Sequence, residues 1–132
     1  DIRNLDIMMT EKYVQEEAEW LKTVVESEEY KNAEVKIAFC HIPPSPTGWY
    51  GNATVSKYLV PLLNGTGLDL MLCAHIHKYS YREAGKNGCD FPVLCNANQQ
   101  RLDATVDKNG IKIEIYDASG AKLHSLKFDK KK

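Results

Sequence analysis

Apolar residues in the first part of the chain recur every three or four positions. Val14, Ala18, Leu21 and Val25 keep this spacing, which is typical of the buried face of an amphipathic helix. Thr10 stands just before the segment and acidic residues follow it, as at the N-cap and first turn of many helices. The pattern therefore predicts a helix that begins at Thr10 and continues past Val25.

Two short apolar runs come next, and neither shows the alternation of a half-buried strand. They are VKIAFCH at 35–41 and LDLMLCAH at 68–75. Continuous apolar runs of this length are typical of strands buried on both faces. Prolines after the first run exclude a helix there, and Asn52 is placed to cap a second helix that ends near Leu63. The first half of the chain therefore predicts the order helix, strand, helix, strand.

The last third of the chain has a different pattern, in which short β-rich runs are separated by turn residues. KNG at 108–110 and ASG at 118–120 are turn sequences, and the run IKIEIY between them alternates strictly between apolar and polar residues. The β-rich runs are FPVLCNA, RLDATVD, IKIEIYD and AKLHSLKF. This pattern predicts consecutive antiparallel hairpins, so the whole chain is expected to be an α/β protein.

Length and charge limit the possible functions. The 132 residues fit a single domain, 1–132, with its own core, and we expect 1–9 and 129–132 to be frayed ends. The formal net charge is −1, from 17 basic and 18 acidic residues, so no general attraction to nucleic acid or to anionic lipid is expected. No apolar stretch approaches the ~20 residues of a membrane span. We therefore expect no nucleic-acid partner and no membrane partner.

Histidines stand at the ends of both predicted buried strands. His75 and His77 close the second apolar run, and His41 closes the first. Because side chains alternate along a strand, His75 and His77 are expected on one face, roughly 6 to 7 Å apart. Ligands of open α/β sheets bind beyond the carboxyl ends of the strands, and imidazole is a common ligand of zinc and iron. The sequence therefore predicts a metal site shared by these histidines.

Two other interpretations of these histidines stay open. In the first, they are structural residues, and the chain is a non-enzymatic binding or scaffold domain. In the second, Cys40 and Cys73 join them in a Cys/His zinc site, although the chain has no CxxC pair. Free cysteines inside apolar runs otherwise behave as small buried hydrophobes. His124 lies in an alternating run, and we assign it no role.

Several motifs together resemble the calcineurin-like metallophosphoesterases. LDLMLCAHIHKYSYRE at 68–83 resembles their apolar strand and Gly-His-x-His motif, and FCHIPP at 39–44 resembles their earlier strand ending in His and Pro. Ala74 and Cys40 stand where many members have Gly. Tyr79 and Arg82 look like the Tyr and Arg that follow the motif in the purple acid phosphatase branch. The first helix resembles a family helix in which Gln precedes Trp-Leu. The matching residues here are Tyr13, Gln15, Trp20 and Leu21.

The resemblance implies a fold and a set of site residues. The fold is the C-terminal half of a layered α/β/β/α sandwich, with a mixed sheet, flanking helices and closing antiparallel hairpins. His41 and His75 would bind the second ion of a two-metal centre and His77 the first, and the ions would be divalent or mixed-valence Fe, Zn or Mn. No catalytic residue is assigned. Residues expected at the substrate mouth are Trp49 and Tyr50, from the loop after His41, together with Tyr79 and Arg82. Two alternatives stay open: the loop aromatics cover apolar surface, and Tyr79 and Arg82 only brace the strand end.

The other ligand motifs of the family should precede the first helix, and this chain does not contain them. They are Asp-x-His, Gly-Asp and Gly-Asn-His. We therefore expect the C-terminal part of a phosphoesterase, inactive alone, that binds one metal ion weakly or none. A sandwich cut in half leaves a sheet edge uncovered, so we also expect a homo-oligomer. The resemblance leaves the phosphate ester open, whether monoester, diester or nucleotide, and favours an exported parent, periplasmic or secreted.

Overall fold

The computed structural model describes the backbone of residues 2–47 and 49–130, and side chains from residue 11 onwards within those ranges. The helices and strands follow the chain in the order α1 (Ile2–Glu26), α2 (Glu28–Asn32), β1 (Ile37–Phe39), α3 (Tyr50–Tyr58), α4 (Val60–Leu63), β2 (Leu70–Cys73), β3 (Ser80–Arg82), β4 (Val93–Cys95), β5 (Arg101–Asp107), β6 (Gly110–Tyr116) and β7 (Lys122–Asp129). None of the helices in the described part combines the length and apolar character needed to cross a membrane.

The strands form two sheets. The first has the order β1-β2-β4-β3, in which β1, β2 and β4 are parallel and β3 is antiparallel to β4. The second sheet, β5-β6-β7, is an antiparallel meander. Helices α3 and α4 connect β1 to its parallel neighbour β2, as such a crossover requires.

The central strands of the mixed sheet, β2 and β4, are buried on both faces. Met71 and Val93 pack on the helix side, where Leu21 and Val25 of α1 lie against the same cluster. Successive side chains of a strand point to opposite faces. The neighbours of Met71 and Val93 along their strands, Leu70, Leu72 and Leu94, therefore pack against the meander. That second cluster contains Leu70, Leu72, Leu94, Ile111, Ile113 and Ile115. The resulting layers are helices, mixed sheet and antiparallel sheet, and the predicted α/β sandwich class is confirmed.

The first helix begins earlier than the sequence pattern predicted. It starts at Ile2, so Thr10 lies inside α1 and is not its N-cap. The segment IRNLDIMM before Thr10 contains no glycine or proline, and nothing in it opposes continuation of the helix. The predicted frayed ends remain a prediction, although helix and strand assignments reach Ile2 and Asp129.

The second predicted helix is two helices. Trp49, not Asn52, is the N-cap of α3, and the Asn52 side chain donates a hydrogen bond to the Pro43 carbonyl at 2.7 Å. The helix stops at Tyr58 and a new one starts at Val60 with a proline in its first turn. Pro61 lacks an N–H and its ring crowds the preceding turn, which explains the break.

The prediction that the first apolar run is buried on both faces is wrong. Strand β1 is the edge of the mixed sheet, and its Phe39 side chain is 79% exposed. Phe39 is the register partner of Leu72, and Leu72 packs on the meander side of the sheet. The Phe39 side chain therefore points toward the meander side as well. The second run is different, because every residue of β2 is buried.

Candidate metal centre

Two histidine-bearing loops leave the mixed sheet side by side. Strands β1 and β2 are parallel, so their carboxyl ends meet at one edge of the sheet. Pairing continues past the strands, because the Cys40 N–H donates to Leu72 at 3.0 Å and the Ala74 N–H donates to the His41 carbonyl at 3.0 Å. His41 and His75 therefore start from adjacent backbone positions, as Brändén's rule for open sheets leads one to expect.

The His41 and His75 side chains meet through their ring nitrogens. His75 Nδ1 lies 3.3 Å from His41 Nε2, and the two rings are edge-on at 81° with centroids 5.2 Å apart. Two imidazole nitrogens bound to one tetrahedral zinc ion at 2.0 to 2.1 Å would be about 3.3 to 3.4 Å apart. The spacing of this pair therefore fits two ligands of a single ion, and in the absence of an ion it is also a hydrogen-bond distance.

His75 and His77 do not lie on a strand, so the alternation argument that placed them on one face is wrong. Strand β2 ends at Cys73, and both histidines have left-handed backbones, with φ of 59° and 58°. The Ile76 N–H donates to the Ala74 carbonyl at 2.6 Å, which closes a three-residue turn around His75. A turn of this kind breaks the two-residue period of the strand.

His77 does not join the pair in the structure. Its side chain is exposed, and its ring makes none of the hydrogen bonds or ring contacts that link His41 to His75. Over residues 11–47 and 49–130, no group of three His, Cys, Asp or Glu side chains is placed to hold a metal ion. The described residues thus bring together two of the three predicted ligands, and the ligand roles themselves stay predictions.

The loop that follows His41 is anchored from two directions. The Asn52 side chain of α3 holds the Pro43 carbonyl, and the Arg82 guanidinium of β3 donates to the Pro44 carbonyl at 2.5 Å. Pro43 and Pro44 are themselves buried. These contacts fix the path of the chain directly after the ligand candidate, and the sequence pattern gave no sign of them because they join residues far apart in sequence.

The four residues expected at the substrate mouth have different surroundings. Trp49 stacks on His75, with centroids 5.0 Å apart and planes 20° from parallel. Tyr79 stacks instead on His124 of β7 at 3.7 Å, and burial raises the pKa of its phenol. Arg82 contacts the proline loop, and Tyr50 is the first residue of α3. Trp49 therefore lies against the histidine pair, and contact of any of the four with substrate stays a prediction.

Cysteines next to the histidines are poor candidates for metal ligands. Burial raises the pKa of the Cys40 thiol, and its Sγ donates to the Ile42 carbonyl at 3.2 Å. A hydrogen bond to Cys95, followed by burial, raises the pKa of Cys73. Both thiols already take part in a hydrogen bond, and within residues 11–47 and 49–130 neither belongs to a group of three His, Cys, Asp or Glu side chains placed to hold a metal ion. The Cys/His zinc interpretation has no support in this geometry.

An open cavity of 470 Å³ lies beside His41 at the carboxyl ends of β1 and β2. It faces the uncovered side of β1, where Phe39 is exposed. The residues that line it are Phe39, Cys40, His41, Leu72, Cys73, Ala74, Asn96 and Leu102. The candidate centre is therefore open to further ligands or to substrate from the side of the sheet edge.

Comparison with protein families gives a match to the sequence of the first part of the chain. The model of the calcineurin-like phosphoesterases matches residues 1–79, a span that contains α1, β1, β2 and all three candidate ligands. No curated protein sequence matches the chain.

A solved structure with a similar fold is GAP50, the anchor in the inner membrane complex of Plasmodium. The TM-score is 0.61 and the sequence identity 17%, with 79% of this chain and 39% of the Plasmodium chain covered. At this identity the similarity concerns the fold alone. The chain spans well under half the length of that structure.

Proposed function

Because the chain belongs to the calcineurin-like phosphoesterase family, we propose that it is the C-terminal part of a metal-dependent enzyme that hydrolyses phosphate esters. The observation that carries the proposal is the 3.3 Å separation of His75 Nδ1 and His41 Nε2, which matches two ligands of one ion. The purple acid phosphatase branch is the proposed relative, and an exported location, periplasmic or secreted, goes with it.

In this proposal His41 and His75 bind one ion and His77 reaches a second. Two bound ions of the Fe, Zn or Mn type supply Lewis acidity and lower the pKa of a bound water. The protein's part is to hold neutral imidazole nitrogens at a fixed spacing. The backbone pairing of Ala74 with His41 and the anchored proline loop serve this purpose.

The chain by itself is proposed to be inactive. Imidazoles carry no negative charge to balance two cations, and bridging two ions requires a carboxylate that the described residues do not bring to the pair. The missing ligands would come from Asp-x-His, Gly-Asp and Gly-Asn-His motifs elsewhere in the parent. The chain's coverage of 39% of GAP50 is consistent with a longer parent.

A zinc titration tests the histidine pair. By isothermal titration calorimetry we expect at most one weak zinc site per chain, lost in both His41→Ala and His75→Ala. His124→Phe is the matched control, because it removes an imidazole that is not part of the His41–His75 pair and keeps a flat ring against Tyr79. Equal zinc binding by all four proteins would contradict the metal role and favour the alternative of a scaffold domain with structural histidines.

An activity measurement tests the second part of the proposal. With p-nitrophenyl phosphate and zinc, iron or manganese, the purified chain is expected to show no turnover above the metal alone. Turnover that disappears in His75→Ala would show that the 132 residues suffice for catalysis, and would overturn the proposal that the chain is inactive alone.

A further inference from the structure

We propose that Trp49 is a positioning residue for His75, and that Gly51 is the residue that allows it to be one. The inference rests on the proposed metal role of His75. Trp49 would not touch substrate or metal in this role. It would hold the imidazole plane so that Nδ1 faces His41, and so set the affinity of the pair for an ion.

The two contacts of the His75 ring are complementary. The indole of Trp49 covers a face of the imidazole, 20° from parallel at a centroid distance of 5.0 Å. His41 approaches the edge of the same ring at 81°. Ring nitrogens bind metals in the ring plane, so a neighbour on the face fixes the orientation and leaves the nitrogens free. His75 needs such support because it lies in a left-handed turn outside the sheet.

Trp49 is itself held at the start of α3. Its backbone is extended, with φ −68° and ψ 149°, and its carbonyl accepts hydrogen bonds from the N–H groups of Asn52 at 3.1 Å and Ala53 at 3.2 Å. The backbone of Trp49 is therefore part of the helix cap. Only the side-chain angles remain to be fixed, and the indole is still 57% exposed.

Gly51 fixes where the indole can lie. A Cβ on Gly51 would be 2.2 Å from the indole Cζ3 and 2.8 Å from Cε3, which is far inside van der Waals contact. Glycine is a weaker helix former than alanine, and Gly51 is the second residue of α3. Helix propensity therefore favours alanine at this position, whereas the observed place of the indole requires glycine.

The same features give two independent ways to remove the stack. Trp49→Leu keeps an apolar side chain and removes the aromatic face. Gly51→Ala leaves Trp49 and His75 unchanged but displaces the indole, and its effect on helix propensity is favourable. Trp49→Phe keeps a flat ring. Ser56→Ala is the control in the same helix, because Ser56 Oγ is buried without a hydrogen-bond partner in the described structure.

The first measurement needs no metal. In a Trp20→Phe background Trp49 is the sole tryptophan, since the chain has two. The ring current of a stacked indole shifts the NMR signals of the His75 ring protons upfield. We expect this shift in the background protein, in Trp49→Phe at reduced size and in Ser56→Ala, and its loss in Trp49→Leu and Gly51→Ala.

The second measurement uses zinc by calorimetry and nickel as a quencher of Trp49 fluorescence. Hydrogen-bond partners that orient a metal-binding histidine typically change affinity by 10- to 100-fold. For a stacking partner we expect the lower end of this range, with zinc binding about tenfold weaker in Trp49→Leu and Gly51→Ala. Trp49→Phe and Ser56→Ala should stay close to the background protein. Nickel should quench Trp49, and His75→Ala should abolish the quenching. Thermal melting by circular dichroism shows which variants are folded.

The outcomes separate the two proposals. An unshifted His75 signal in the background protein overturns the stack, whatever the metal binding. A shift that Gly51→Ala removes while zinc affinity stays unchanged overturns the positioning role. Zinc binding that survives in His75→Ala overturns the proposed metal pair and the positioning role with it, yet leaves the stack intact. Weaker zinc binding in both Trp49→Leu and Gly51→Ala, with folded protein, supports the inference.

Discussion

At the scale of single residues, His75 and His77 are the unusual positions of the site. Both have positive φ, at 59° and 58°, which non-glycine residues adopt rarely, although histidine does so more often than most. In this conformation the side chain leaves the backbone in a different direction from that of a strand residue, whose side chain points to one of the two faces of the sheet. The backbone conformation at these positions therefore decides the direction of the candidate ligands.

Substitutions at His77 measure the energy stored in this backbone. The side chain is exposed, so little packing is lost. A left-handed conformation costs an ordinary L-residue roughly 1–2 kcal/mol and glycine almost nothing. We expect His77→Val to be about 1–2 kcal/mol less stable than His77→Gly in urea unfolding.

The neighbouring exposed residue supplies the control for this comparison. Lys78 has no positive φ, so Lys78→Val should not be less stable than Lys78→Gly. If valine and glycine at position 77 gave equal free energies of unfolding, the turn would not be left-handed in solution.

At the scale of elements, local chemistry made the hairpins predictable. The turns KNG and ASG join β5 to β6 and β6 to β7, and strict alternation in β6 puts its isoleucines in the core. Strand β3 and helix α2 were not predicted. Strand β3 has three residues and no apolar alternation, and α2 depends on a Ser27 cap that follows directly on α1. Strand β3 is stabilised by pairing with β4, and α2 by its cap next to α1, so neither has a signal of its own in the sequence.

The turn between β6 and β7 gives a pH-dependent prediction. The Asp117 carboxylate accepts hydrogen bonds from the Ser119 hydroxyl and from the backbone of Ala121 and Ser119, and these bonds lower its pKa. A carboxyl whose pKa is lowered by folding stabilises the protein above its unfolded pKa of about 3.9. That contribution disappears as the pH falls through the folded pKa.

Asp117→Asn isolates this contribution because it keeps the shape and removes the charge. We expect the variant to be less stable than the original chain at pH 7, and the difference to shrink as the pH is lowered below about 4. Urea unfolding at several pH values measures it. A stability difference that stays constant from pH 7 to acid would show that the charge of Asp117 has no part in the turn.

The sequence could predict the candidate site only where its residues directly follow predicted strands. His41 and His75 were correctly expected near each other, because parallel strands end at one edge of a sheet. His77 was placed with them by strand alternation, which had already ended at Cys73. The stack of Trp49 on His75 depends on the path of a loop between β1 and α3, and neither period nor composition encodes that path.

At the scale of the whole molecule, the exposed edge of the mixed sheet is the surface expected to promote association between chains. Strand β1 has a partner on one side only among the described strands, and Phe39 on it is 79% exposed. Tyr13 and Trp20 of α1, on the helix side of the sheet, are also exposed, at 68% and 60%. Unpaired edges with apolar side chains promote association.

We therefore expect the chain to self-associate through the β1 edge of the mixed sheet. Phe39→Arg should reduce this association. Light scattering over a range of concentrations measures it. Leu123→Arg is the control, since it introduces the same charge at an exposed apolar residue of β7. A monodisperse monomer at high concentration would contradict the homo-oligomer, and equal effects of both substitutions would contradict the choice of face.

The thiols beside the site have a practical consequence. Cys73 and Cys95 are register partners on β2 and β4, and Cys40 follows β1 at the same level of the sheet. Buried thiols react with an alkylating reagent only after local opening. Cys40 is partly exposed, so it should be modified first and with the least opening of the sheet. Peptide mapping of the modified thiols, with buried Cys89 outside these strands counted separately, would then distinguish separation of β1 from opening of β2 and β4.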